Sequence, residues 1–221
     1  MNVEPLSIDG RAGTVSGALT TPSRVRALLV LAHGAGAGFG HANMVAISEA
    51  LAGVDVATLR FNFPFMEAGR RRVDARAVAV AAIADAARTA AERRADLPLL
   101  VGGHSFGGRM ASHALAEAAV TARALICTSF PLHPANRPAV DRAAHLGDVP
   151  VPMLFLSGTR DALAQGDLLT DVVAGLGDRA VLHWLDDADH GYKTRKRERR
   201  DPRTVFQEMA EAVSAFLDDL L

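Results

Sequence analysis

The sequence predicts an α/β fold: a mostly parallel central sheet with helices on both faces. Three observations carry this. Short apolar runs alternate with longer helical patterns along the chain. The run Ala27–Ala32 is apolar without interruption, as in a strand buried on both faces. The apolar run 97–102 leads through Gly103-His104-Ser105-Phe106-Gly107 into a helical pattern, giving a strand, a sharp turn and a helix in immediate succession.

The elements follow in order. Thr14–Leu19 reads as an early strand, and Ala27–Ala32 as the central one. Asn43–Ala52 reads as a helix and Val54–Leu59 as the next strand. Val73–Arg94 is alanine-rich, with Val73, Ala77, Val80, Ala84 and Ala87 close to a 3.6 period, so a long helix is predicted there. Strand 97–102 and helix 106–119 flank the serine. Ala124–Thr128, Met153–Ser157 and Ala180–Leu185 are short strands, and a helical pattern lies between the last two. The final helix runs from about Pro202 to Leu220, with Val205, Met209, Val213 and Leu217 on one face. The stretch 131–152, with five prolines, is the only long irregular insertion. It is short for a lid, so an open site is expected.

Composition narrows the function. The chain has 221 residues, 49% of them hydrophobic, and shows no repeat or composition break, so one domain over 1–221 is expected. The net charge of −1 supplies no global field to recruit nucleic acid or a membrane surface. Cys127 is the only cysteine, which excludes a disulfide framework. The first ten residues lack a basic-then-apolar signal pattern, and no apolar run approaches the length of a membrane helix. A cytoplasmic location is expected.

Gly103–Gly107 matches G-x-S-x-G, and its flanks are those of a nucleophile elbow. A serine hydroxyl near neutral pH needs a base, and the base needs an orienting carboxylate. On sheets of this type the three follow the order Ser, Asp/Glu, His, each just past a strand. Asp161 follows the strand 153–157 and the turn Gly158-Thr159-Arg160; it is the candidate acid, and a helix N-cap is the alternative reading. His190, in Asp186-Asp187-Ala188-Asp189-His190-Gly191, follows the last strand and is the candidate base. His183 lies within that strand.

An oxyanion hole needs two backbone N–H groups. Phe106, at the start of the helix after Ser105, should supply one. The loop His33-Gly34-Ala35-Gly36-Ala37-Gly38 should supply the other, with Ala35 first and Gly34 or Gly36 as alternatives. A plain flexible turn is the competing reading. The loop has neither the Lys-Ser/Thr ending of a Walker motif nor dinucleotide spacing. His33, Gly34, Phe63, His104 and Tyr192 are candidate pocket residues. Phe61, Phe63 and Phe65 form either an acyl pocket or a packed loop. Arg109, one turn into the serine helix, could hold the neighbouring loop by hydrogen bonds. The basic run 193–200 either is solvated or attracts an anion. His41, His113, His133 and His145 lack metal-ligand spacing, so no metal and no cofactor are expected.

With these residues in view, the chain resembles the α/β-hydrolase superfamily over about residues 26–221. More narrowly it is similar to small bacterial hydrolases akin to dienelactone hydrolases and to the testis-expressed hydrolase-like proteins. The segments carrying the likeness are 31–36, Arg60-Phe61-Asn62-Phe63-Pro64 with 67–71, 107–112, Gly158-Thr159-Arg160-Asp161 and Asp189-His190. The resemblance implies Ser105, Asp161 and His190 as a triad. Dienelactone hydrolases carry a cysteine nucleophile, so Ser105 does not imply dienelactone chemistry. His104-Ser105-Phe106 replaces the Lys-Ser-Met of many narrower relatives and is closer to ordinary esterases. The expected substrate is a small carboxylic ester or thioester. Acyl transfer and a non-catalytic module binding a protein or small-molecule partner are the competing functions.

Overall fold

The computed structural model describes residues 1–11, 13–195 and 201–221. Eight strands form one sheet in the order β1-β2-β4-β3-β5-β6-β7-β8. They are β1 (Asn2–Gly10), β2 (Gly13–Thr21), β3 (Ala27–Ala32), β4 (Val56–Phe61), β5 (Leu99–His104), β6 (Leu125–Thr128), β7 (Met153–Gly158) and β8 (Ala180–Leu185). β1–β2 and β2–β4 pair antiparallel; all other pairs are parallel. This is the α/β-hydrolase arrangement.

The helices are α1 (Ala42–Ala52), α2 (Pro64–Glu67), α3 (Arg76–Arg93), α4 (Phe106–Ala116), α5 (Gly166–Gly175) and α6 (Val205–Leu220). Met44, Ile47 and Leu51 of α1 pack with Met209, Val213 and Leu217 of α6 on one face of the sheet. The other face is covered by α3, α4 and α5, through Ile83, Met110 and Leu169 among others. Every residue of β3 and β4 is buried between the two helical layers, and β3 is apolar throughout.

The connections leave β3 in opposite directions. β4 lies on one side of β3 and β5 on the other, so the loops after β3 and β5 diverge from adjacent strand ends. Ligands bind at such a switch point in open α/β sheets. The stretch 131–152 carries two single-turn 3₁₀ helices, Asp141–Ala143 and Leu146–Asp148, and the second packs on α4. No described helix is long and apolar enough to cross a membrane.

Candidate active site

Ser105 has φ 52° and ψ −115°, a region that non-glycine residues rarely occupy. Packing around the turn fixes it there. A Cβ at either Gly103 or Gly107 would stand 2.3 Å from the Ala32 carbonyl oxygen, so β3 can approach only because both are glycine. The Ser105 N–H donates to the Thr128 carbonyl (2.9 Å), and its own carbonyl accepts from the Arg109 N–H (3.1 Å). The hydroxyl is thereby held beyond the end of β5.

A continuous chain of hydrogen bonds starts there. Ser105 Oγ lies 2.8 Å from His190 Nε2, and His190 Nδ1 lies 2.8 and 2.9 Å from the two Asp161 oxygens. An ionised carboxylate only accepts, so Nδ1 carries the proton and Nε2 is the acceptor facing the hydroxyl. The Asp161 carboxylate is fully shielded from solvent. Its Oδ1 also accepts the Leu163 N–H at 2.8 Å. The competing N-cap reading does not describe it: α5 begins at Gly166 and its N-cap is Gln165.

Both loops are built from outside. His133 Nε2 accepts the Gln165 N–H (2.9 Å), and the His133 N–H donates to the Leu163 carbonyl (3.0 Å), which fixes the loop after Asp161. On the His190 side, Asp187 accepts from the backbone and guanidinium of Arg195 and faces Arg160. Against the cost of burial, these donors hold the Asp187 carboxyl below its ordinary range. Asn43 Nδ2 donates to the Gly191 carbonyl at 2.7 Å, joining the start of α1 to the residue after His190. Nothing in the sequence pattern marks Asn43 or His133 for these tasks. Both act through loops whose meeting depends on the whole sheet.

The Phe106 and Ala35 N–H groups find no acceptor among the described residues, and both belong to segments beside Ser105. His33 sits beneath the Ala35 loop. Its Nε2 accepts the Phe63 N–H (3.0 Å), so Nδ1 is the protonated nitrogen and donates to the Gly34 carbonyl (2.7 Å). Burial pushes its pKa down to about 4, keeping this tautomer neutral.

A cavity of about 370 Å³ opens over Ser105. Gly34, Ala35, Gly36, Ala37, His104 and His190 line it, with His41, Asn43, Met44 and Leu163 completing the wall. Three of the five expected pocket residues are elsewhere. His33 and Phe63 are wholly buried, because Phe61, Phe63 and Phe65 turn inward to pack with His33 and Phe106. The aromatic segment is therefore a packed loop. Tyr192 is buried as well, its ring between His104 and Phe206 and its hydroxyl 3.4 Å from the Leu156 carbonyl. Gly34 and His104 do line the cavity. Among the described residues the His104 Nδ1 has no hydrogen-bond partner, and burial, then His190 and His41, lowers its pKa to about 3.

Arg109 differs from expectation too: among the described residues its side chain makes no hydrogen bond, so it does not tie down the neighbouring loop. Of the basic run 193–200, Arg195 is spent on Asp187, and residues 196–200 lie outside the described residues. Among the described residues no cluster of His, Cys, Asp and Glu could hold a metal.

The alpha/beta hydrolase domain family matches residues 25–218. The chain belongs to the α/β-hydrolase family. Solved structures with the same fold include a lidless α/β serine hydrolase from Xanthomonas campestris, 19% identical, with a TM-score of 0.75 over 100% of this chain and 96% of that one. An α/β serine hydrolase homologue from Coxiella burnetii is 17% identical, with a TM-score of 0.75 over 100% and 99%. A dienelactone hydrolase from Anabaena variabilis is 18% identical, with a TM-score of 0.75 over 100% and 98%.

Proposed function

We propose that this α/β hydrolase cleaves a small carboxylic ester or thioester through an acyl-enzyme intermediate. The unbroken chain from Ser105 Oγ through His190 to Asp161 carries the reading. Ser105 attacks the substrate carbonyl while His190 Nε2 takes the hydroxyl proton. Asp161 holds the ring in the tautomer that leaves Nε2 free and offsets the charge that His190 gains. The Phe106 and Ala35 N–H groups, which lack acceptors among the described residues, suit the oxygen of the tetrahedral intermediate. As the intermediate collapses, His190 returns the proton to the leaving alcohol or thiol and the C–O or C–S bond breaks. Water then repeats the sequence on the acyl-serine. Transfer to another acceptor would use the same steps.

The test is labelling with a fluorophosphonate probe. The wild-type protein should label at Ser105, and Ser105→Ala should not. Folded wild-type protein that stays unlabelled would favour a non-catalytic module that binds a partner. Substituting His190 by Ala should slow hydrolysis of p-nitrophenyl acetate by about 10²- to 10⁴-fold. Unchanged turnover would mean another residue is the base.

A further inference from the structure

One flank of α4 gathers basic side chains away from the Ser105 cavity. Arg109 and His113 stand one turn apart on the partly exposed strip of that helix. Arg76 opens α3 beside it, and Arg142 and His145 lie on and beside the two 3₁₀ turns. The rings of His113 and His145 stack, with centroids 3.5 Å apart and planes 13° from parallel. The Ser112 hydroxyl donates to the Arg109 carbonyl (2.7 Å), so His145 Nε2 is the donor in its 2.7 Å contact with that hydroxyl. His145 Nδ1 has no partner among the described residues.

The acids nearby do not balance this group. Glu117 pairs with Arg76 at 3.2 Å and lies 3.9 Å from His113. Asp148 pulls the His145 pKa up, but burial, His113, Arg109 and Arg76 outweigh it and leave that ring at about 4. Burial, then Arg76 and Arg109, also holds His113 at about 4. Among the described residues neither Arg109 nor Arg142 makes an ion pair, and Arg109 Nε is fully buried and donates to nothing. Burial, then Arg142 and Arg76, lowers the Arg109 pKa. Like charges held together with a buried donor unsatisfied are the opposite of a solvated basic face.

We propose that Arg109 and Arg142, with the His113–His145 stack beside them, bind a phosphate group. Each guanidinium fork offers paired donors to the oxygens of a tetrahedral oxyanion. The imidazoles, neutral when the site is empty, can each take a proton when the anion arrives. The site lies outside the cavity over Ser105, and its occupancy does not depend on hydrolysis.

Isothermal titration with inorganic phosphate tests this on the full chain, at fixed ionic strength and about pH 6. Arg109→Gln and Arg142→Gln should each weaken binding by about tenfold or more. Arg93→Gln, which breaks a surface pair with Glu4, should leave binding unchanged. Sulfate keeps its charge across this range, so its affinity should rise as the pH falls from about 8 to about 6, and His145→Gln should flatten that rise. Absence of phosphate binding would overturn the proposal, as would equal weakening by all three arginine variants, which would mean general charge attraction. If Arg109→Gln does not fold, Arg142→Gln decides, since Arg142 sits on a surface turn. The same titration on Ser105→Ala should give unchanged affinity, so the result stands apart from that of the labelling experiment.

Discussion

At the scale of single residues, the site is a strained serine held by close backbone contact. A residue at φ 52° costs on the order of 1–3 kcal/mol, and the surrounding packing must over-determine it. The Gly103 contact cannot relax, since the atom a side chain would meet is the Ala32 backbone oxygen, which cannot rotate away. Gly103→Ala should therefore lose the fold, or lose ester turnover by about 10²-fold or more, as β3 and β5 are forced apart. Circular dichroism with p-nitrophenyl acetate hydrolysis distinguishes the two outcomes, and a stable, fully active variant would refute the tight-elbow account. Asp161→Asn should slow turnover by favouring the wrong imidazole tautomer, whereas Asp186→Asn, on the exposed side of the turn, should not. The cavity wall also bears on the acyl group. Among the described residues it carries no Arg, Lys, Asp or Glu, so an acyl chain ending in a carboxylate would find no opposite charge among them. The kcat/KM for p-nitrophenyl acetate should exceed that for a succinate half-ester by about 10²-fold or more. Ser105, Asp161 and His190 were legible because each follows a strand and the chain order is fixed. Phe63 and Tyr192 were not, because only the folded loop decides which side of it faces inward.

At the scale of elements, the strands β3 to β8 were legible as largely apolar runs, with β3 and β8 matching at both ends and the other edges off by no more than two residues. β1 was missed. It is an edge strand paired only with β2, mostly exposed, and it includes Glu4 and Pro5. Such a strand has no apolar run to betray it, and proline is tolerated at a sheet edge. The start of the last helix moved inward, where a cap decides it. The last helix begins at Val205, not near Pro202, because Thr204 caps it: the Thr204 hydroxyl accepts the Gln207 N–H, and the Gln207 side chain accepts the Thr204 N–H. That reciprocal pair satisfies donors that would otherwise be orphaned. Thr204→Ala should lower stability by about 1 kcal/mol in urea unfolding, with ester turnover unchanged. A loss of activity without a loss of stability would mean that the helix start acts on the nearby His190 loop.

At the scale of the whole molecule, buried neutral histidines couple the fold to pH. His33 bridges the Gly34 carbonyl and the Phe63 N–H, and its pKa is lowered to about 4; His104 packs beside His190 with its pKa lowered to about 3. Both rings are depressed below the ordinary value of 6.5. Between the two values the unfolded chain binds a proton that the folded chain refuses, so stability rises with pH in that interval. The stabilisation is complete above the unfolded value and is lost as the pH falls toward the folded one. Each ring contributes a slope of about 1 kcal/mol per pH unit. Lowered carboxyls such as Glu67, held down first by the Asn62 amide and then by Ser16, act in the same sense, but only from their own ordinary value of 4.5 downward. The histidine-driven loss therefore starts earlier in an acid titration. The melting temperature, followed in buffers without phosphate or sulfate, should begin to fall near pH 6.5 and keep falling toward about pH 4. A melting temperature that is flat down to about pH 5 would mean that these rings are protonated in the folded state, and that the Nδ1–H tautomer bracing the Gly34 loop is not the one present.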